Sequence, residues 1–508
     1  MFRNLPFRLI SLRKEKLELQ DRPTVAKYLT STEKLAEGVD KIKSTEREAF
    51  KRPGHKMSHV KREQLRDDAI TKWIEQVTKF SILSHTWERG ELSYDDFRGQ
   101  KDLSGSHLGQ QDRDQTQSLN KLHNFCRIAK EYAEFAWADT ICIDKSIIPE
   151  LDESIRSMYS WYRNADICIA HLAETSSLID LVSGYDRWFT RGWTLQELLA
   201  PRRLKFYTKD WHRLTDFLND KISKEDEGKL RLCNDKSLSR QLDLLTGAIL
   251  KETGISMVHI CSFTPGIHHP SLPERMRWIS KRKTTKEEDQ SYSLMGIFNV
   301  SISTAYGEGR ERAFFRLFQA ILEVGHQRDW FIWTGQPISP SIHPSRMIPS
   351  SPDCYVCPAP RAPQGGIKGL NEPVSLTNVG LRMTILFVPA DVKELGRLSK
   401  FHDYIAPRTT IECPLISNET VDVRSIKRPY GAKKWNKEEF ALGVLNVNPE
   451  EDSVRYPDRL YAILLQRVQE LGSSIYGSWK KCDTGEIIAF EHYDKSKISE
   501  RSFRTMYL

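Results

Sequence analysis

The chain runs to 508 residues with 76 basic and 68 acidic side chains, a formal net charge of +8 at pH 7. At roughly 150 residues per domain this length predicts about three domains, and 39% hydrophobic residues with 12 Trp supply too much core for a largely disordered chain. No apolar run reaches the roughly 18 residues needed to cross a bilayer; the stretch around Leu381 to Ala390 is half that and carries Arg382, so a spanning segment is excluded.

The first residues, Met1 to Lys14, are Arg-rich with no acid before Glu15, a pattern that can be read as a mitochondrial presequence. Pro6 interrupts the helix such a signal needs, and no secretory apolar core follows, so a cytoplasmic location is expected. The first 78 residues hold 18 Lys/Arg against 12 Asp/Glu. These charges are interleaved and lack aromatic or Gly-rich readers, so no nucleic-acid partner is expected. Residues 1–78 read as a basic, polar amino-terminal arm, exposed helix or flexible chain from about Glu15 to Val77.

From residue 79 to 335 the chain is Trp-rich, with ten of the twelve Trp between Trp73 and Trp333. Phe80 to Ser84 reads as a buried strand, and Leu119, Leu122, Phe125, Cys126 and Ala129 fall at helical spacing. Phe135 to Ile143 reads as a second strand, followed by an amphipathic helix through Ile155, Met158, Trp161 and Tyr162. Ile167 to Leu172 is a third strand. A helix from about Trp193 to Leu199 stops before Pro201, and Leu204 to Tyr207 resumes extended structure. Strand, helix, strand, helix, strand predicts an α/β fold with an open parallel sheet.

Two further helical patterns follow, one through Tyr292 to Phe298 and one through Ala313 to Ile321, as a helical extension. Residues 336–363 hold eight Pro, which blocks helix and central strand and marks a linker. In residues 364–508, Gly380 to Pro389, Thr409 to Ile416, Arg459 to Val468 and Glu486 to Tyr493 read as strands of a smaller β-rich domain. No repeat of solenoid or propeller period is present.

Nine Cys without a dense framework suit a reducing compartment. Cys354 and Cys357 form the one CxxC, with no second pair or nearby His to complete a zinc site, and His268 and His269 lack ligand-type partners. No metal is therefore expected. Gly307-Glu308-Gly309-Arg310 lacks the ending of a phosphate-cradling loop, and neither GxSxG nor HExxH occurs.

Polar residues instead cluster where predicted strands end. In an open parallel sheet, ligands bind beyond the carboxyl ends of the strands, because diverging crossovers leave a crevice there. Ser84-His85-Thr86-Trp87 ends the first strand, Asp139 to Lys145 ends the second, and Arg191-Gly192-Trp193-Thr194-Leu195-Gln196-Glu197 opens the helix after the third.

The segments FSILSHTW (Phe80 to Trp87), WADTICIDKS (Trp137 to Ser146), ELDESIRSMYSWYRNA (Glu150 to Ala165) and RWFTRGWTLQELLAP (Arg187 to Pro201) stand in order. Together with the TTKEED, SLMGIF and YGEG pieces between Arg277 and Glu308, they resemble the fungal heterokaryon-incompatibility, or HET, domain. Phe7 to Leu19 also resembles the short strand with which many members of that family begin, here followed by an inserted stretch of about sixty residues. The resemblance implies a TIR-like, flavodoxin-like fold. It also implies an effector or interaction module of nonself recognition and programmed cell death, with protein partners or self-association.

TIR-like domains include enzymes that cleave NAD at the nicotinamide–ribose bond, which implies an alternative in which NAD is the substrate. Departure of nicotinamide leaves positive charge on the ribose, which a fixed carboxylate stabilises. Glu197 is the candidate catalytic carboxylate under that reading, or else a structural partner of Arg191. Trp87 or Trp193 could stack on a ring, Arg191 could hold phosphate, and Ser84 or His85 could bond ribose. Asp139 and Asp144 complete the candidate ligand-binding set, or else fix loops through backbone N–H groups. Trp137, Met158, Trp161 and Trp188 read as core. Thr284 to Asp289 reads as a helix start, Thr285 being followed three residues later by Glu288.

Overall fold

The structure, a computed structural model, describes residues 5–50, 59–99, 110–232, 235–266, 270–324, 329–356, 374–394, 408–415, 421–424, 440–447, 459–468, 478–482, 484, 487–498 and 502–508. The chain divides into two compact units, Met1–Thr264 and Pro265–Leu508; among the described residues the first holds one sheet and the second two, of three and seven strands.

In the first unit a six-stranded sheet is built from β1 (Arg8–Ser11), β2 (Glu18–Asp21), β3 (Ser81–Ser84), β4 (Phe135–Trp137), β5 (Ile167–His171) and β6 (Leu204–Tyr207). Their spatial order is β2-β1-β4-β3-β5-β6. The last four strands pair in parallel, with Ser81 opposite Ala136 and Ile167, and Cys168 opposite Leu204. Every residue of these strands is buried, which is why they appear in the sequence as short, largely apolar runs rather than alternating ones. Each fully buried Ile, Leu or Phe among them contributes about 1.5–3 kcal/mol.

The sheet is mixed rather than wholly parallel. β1 lies antiparallel to β4, Ile10 opposite Ala136, and antiparallel to β2, Arg8 opposite Asp21. The amino-terminal segment thus supplies an edge hairpin. Beyond it come α1 (Arg22–Leu29), α2 (Thr32–Phe50) and α3 (His59–Val77). Asp21 caps α1 by accepting from Thr24 N at 2.9 Å, a favourable use of a short acidic side chain at a helix start. α2 and α3 approach closely at Gly38, where any Cβ would stand 2.4 Å from the Trp73 ring.

The second strand is shorter than its sequence predicts. β4 ends at Trp137, and α4 (Asp139–Cys142) turns the chain at once, Cys142 N donating to Ala138 O at 2.9 Å. The partner strand β3 stops at Ser84, so an extended Phe135 to Ile143 would carry backbone groups with no ladder to satisfy them. Ile141 and Cys142 are buried all the same, which is why they read as strand. α5 (Ile148–Asn164) covers the sheet with Trp161 and Tyr162, their rings 5.6 and 6.0 Å from Trp137. A 3-10 turn, Arg187–Thr190, leads into α6 (Thr194–Leu199), whose six residues are all buried.

Among the described residues of the second unit, short helices precede β strands. Leu272–Ser280 is a helix, and Tyr292 to Phe298 forms two single turns, Asp289–Tyr292 and Met295–Phe298. The second turn stops at Asn299 with φ 55, a left-handed conformation that Asn tolerates. Thr285 and Glu288 do not form a capping box; Glu288 Oε1 accepts instead from Gly307 N at 2.8 Å and Gly309 N at 3.2 Å. Arg310–Val324 is the long helix expected there.

Part of the Pro-rich segment is ordered into paired chain. Ile338 N donates to Ile348 O at 2.8 Å and Ser350 N to Gln336 O at 3.2 Å, and Met347, Ile348 and Tyr355 are buried. Residues 357–373, with Cys357, lie outside the described residues, as do His268 and His269. A seven-stranded antiparallel sheet follows, centred on Gly380–Pro389, Phe440–Val444 and Leu460–Val468. Leu386, Leu442, Val444, Leu460 and Leu464 form its core. No described helix is long and apolar enough to cross a membrane.

Candidate functional site

The carboxyl ends of β3 and β4 meet the amino end of α6 and form a polar rim with two sides. On one side Ser84, the last residue of β3 and fully buried, donates from Oγ to Glu197 Oε2 at 2.5 Å and accepts from Trp188 Nε1 at 2.8 Å. The Tyr162 hydroxyl donates to Leu83 O at 2.7 Å and adjoins the same carboxyl. Burial pushes the Glu197 carboxyl up to about 8, against the Ser84 hydrogen bond; the negative charge of Asp139 adds to the rise and Arg191 opposes it. At neutral pH Glu197 therefore holds its proton.

α6 is clamped at its far end as well. Lys221 Nζ donates to the carbonyls of Leu198 and Leu199 at 3.0 Å and of Pro201 at 2.6 Å. These are orphan acceptors that every helix leaves at its carboxyl end. The lysine is buried, and burial lowers its amine to about 7.

On the other side His85 Nε2 lies 3.1 Å from Asp139 Oδ1, and Trp87 Nε1 donates to Asp139 Oδ2 at 2.9 Å. Burial alone would raise the Asp139 carboxyl. The His85 hydrogen bond and charge, with Lys145 and Trp87, override that and hold it at about 2. His85 Nδ1 is 3.5 Å from Glu91 Oε1, an ion-pair distance without a hydrogen bond. Glu91 in turn accepts from Lys121 Nζ at 3.0 Å, and that ammonium also reaches Thr86 O at 3.0 Å. The Trp87 ring remains 41% exposed. Lys145 Nζ lies 3.7 Å from its centroid and the Arg191 guanidinium 5.8 Å.

The structure thus brings Ser84, His85, Trp87, Asp139, Arg191 and Glu197 to one rim. Trp193 stands half-buried at the start of α6. Asp144, next to Lys145 in the chain, is bonded within its own loop: its carboxylate accepts from Ser146 N at 3.0 Å and Ser146 Oγ at 2.5 Å. Its own N–H donates to Glu150 Oε1 at 2.9 Å, and Glu150 pairs with Arg8 of β1. That is a loop clasp, the second of the two roles open to Asp144 in the sequence.

Three rim residues carried little signal in the sequence. Trp188 reads as core, which it is, yet its indole N–H holds Ser84. Lys121 interrupts an apolar helical stripe, and a buried lysine there demands an acceptor; Lys221 has no local signature. Among the described residues no group of His, Cys, Asp and Glu could hold a metal ion.

Residues 80–184 match the family model described as Heterokaryon incompatibility protein (HET). Among curated proteins the chain is 35% identical over 259 residues to vegetative incompatibility protein HET-E-1 of Podospora anserina. That alignment takes in 48% of this chain and 16% of the relative, so the chain spans about a sixth of the relative's length. No solved structure matches the chain.

Proposed function

We propose that this chain is a cytoplasmic effector or interaction module of heterokaryon incompatibility, acting through a TIR-like core in nonself recognition and programmed cell death. One observation carries the reading: Ser84, Glu197 and Trp188 bond one another within the rim, and His85 Nε2 lies against Asp139, while Trp87 stays exposed between Lys145 and Arg191. An exposed Trp flanked by cations, on a base fixed by Asp139, is the composition of a protein contact surface, where Trp and Arg dominate binding energy. The partner is a protein, another copy of this chain included; the family likeness and the relative's name support the biological setting.

A second reading rests on the place of Glu197, at the carboxyl ends of parallel strands within reach of Ser84. There the nicotinamide–ribose bond of NAD would break with its electron pair going to the nicotinamide nitrogen. The positive charge developing on the ribose would lower the Glu197 pKa so that its proton passes to water, and the resulting carboxylate would stabilise the ribosyl cation until a water adds to it and loses a proton. One experiment separates the two: induced expression with growth and cellular NAD followed together. The module reading expects Trp87→Ala to abolish growth arrest, and Glu197→Gln to leave arrest intact without an early fall in NAD. Early NAD loss that Glu197→Gln prevents would replace it with the enzyme reading.

A further inference from the structure

A second polar feature of the first unit lies away from this rim. Leu12 N donates to Glu134 O at 2.9 Å, immediately before β4 begins at Phe135, so the turn after β1 sits at the amino ends of the parallel strands. The rim with Glu197 is at their carboxyl ends. Between that turn and the helix Gln110–Ala129 opens a cleft of about 320 Å³, within the range of small-molecule sites.

Its apolar lining comes from Leu12, Leu17 and Cys126, with Leu12 and Cys126 buried. His123, Arg127 and Lys130 line it from the helix side. Their spacing of four and three residues puts them on one helical face, neighbouring Cβ atoms roughly 5–6 Å apart. Lys14 and Glu15 line it from the turn, and Lys14 is engaged by Glu18 at 3.1 Å. Among the described residues no hydrogen bond or ion pair reaches the side chains of His123, Arg127 or Lys130, all exposed. The end of the helix favours cations there through its dipole, and Glu15 is the one acidic residue among those lining the cleft.

We propose that this cleft binds a phosphorylated small molecule, its phosphoryl group held by Arg127 and Lys130 and its apolar body lying on Leu12, Leu17 and Cys126. A guanidinium fork and an ammonium one turn apart offer more donors than a single carboxylate can accept, and they match a dianion with three terminal oxygens. The half-buried Leu17 favours an organic phosphate over inorganic phosphate, because only a ligand with an apolar body covers its remaining exposed surface. The same chemistry is presented by a free organic phosphate and by the phosphomonoester head of a lipid.

The test uses the full chain with 1-naphthyl phosphate as a fluorescent probe, 1-naphthol and inorganic phosphate as its two halves, and phosphatidylcholine vesicles with and without phosphatidic acid. Saturable binding of the naphthyl phosphate is expected, tighter than either half, weakened by salt and reduced roughly tenfold or more by Arg127→Gln with Lys130→Gln. Both side chains are exposed, so the thermal midpoint should not move; if the double variant fails to fold, Lys130→Gln alone is read the same way. Retention by phosphatidic acid vesicles that the double substitution abolishes assigns the source to lipid, and probe binding without retention assigns it to a free ligand. Absence of saturable binding to the probe and the vesicles, or binding that the substitutions leave unchanged, overturns the proposal.

Discussion

Glu197 is a carboxyl that the fold keeps neutral. Its folded pKa, about 8, stands above the ordinary 4.5. Below pH 4.5 it is protonated folded or unfolded, and its contribution is whole. Between 4.5 and 8 the unfolded chain gives up the proton and the folded chain keeps it, so stability falls as pH rises. At about 1.4 kcal/mol per pKa unit, the fall is on the order of a few kcal/mol. Lys221, lowered from 10.5 to about 7, acts oppositely and only above 7, where the unfolded chain binds the extra proton. Urea unfolding from about pH 5 to pH 8 should therefore show wild type losing stability relative to Glu197→Gln. Parallel pH profiles for the two proteins would mean that Glu197 ionises in the folded state as freely as in water. Asp139 behaves conventionally: held at about 2 against 3.8, it stabilises above 3.8 and that contribution goes as pH falls towards 2. That these residues would meet was legible in the sequence because each ends a strand or opens a helix. What Ser84 and Asp139 bond to was not, since Trp188 and His85 reach them only through tertiary packing.

At the scale of elements, short runs dominated by apolar residues locate β5, β6 and the strand Gly380–Pro389 to within a residue, even though Lys205 and Arg382 interrupt two of them. The same signal fails at Ile141 and Cys142, where a buried helical turn is as apolar as a strand. β2, with sequence ELQD, is invisible because its place is set by pairing with β1. The arm from α2 to α3 reads as polar helix, but its hairpin depends on a single small residue. An Ala at Gly38 would put Cβ within 2.4 Å of the Trp73 ring, and overpacking of this kind costs about 1–3 kcal/mol. Gly38→Ala should accelerate amide exchange in α2 and α3 while the amides of β3 and β5 keep their protection. Unchanged exchange in α2 and α3 would mean that the two helices are not held by that contact.

Across the whole molecule, two units with different sheets share one chain, and only the first carries the HET match. The parallel strands of that unit run, in space, second, first, third, fourth, with an antiparallel hairpin at one edge; the crossover reversal beside β3 is what leaves room at its carboxyl end. The second unit is antiparallel throughout its described sheets.

Lys121, Lys205 and Lys221 are sealed inside the first unit at 6%, 1% and 6% exposure, Lys205 on Asp220 at 3.0 Å. A reagent that acylates amines can reach their nitrogens only when the unit opens. Mass spectrometry of the acylated chain should find Lys229, 65% exposed, modified at once and these three in step with one another at the opening rate. Three synchronous labels would make the unit its own stopwatch, whereas early modification of Lys221 alone would reveal that α6 loosens before the sheet does.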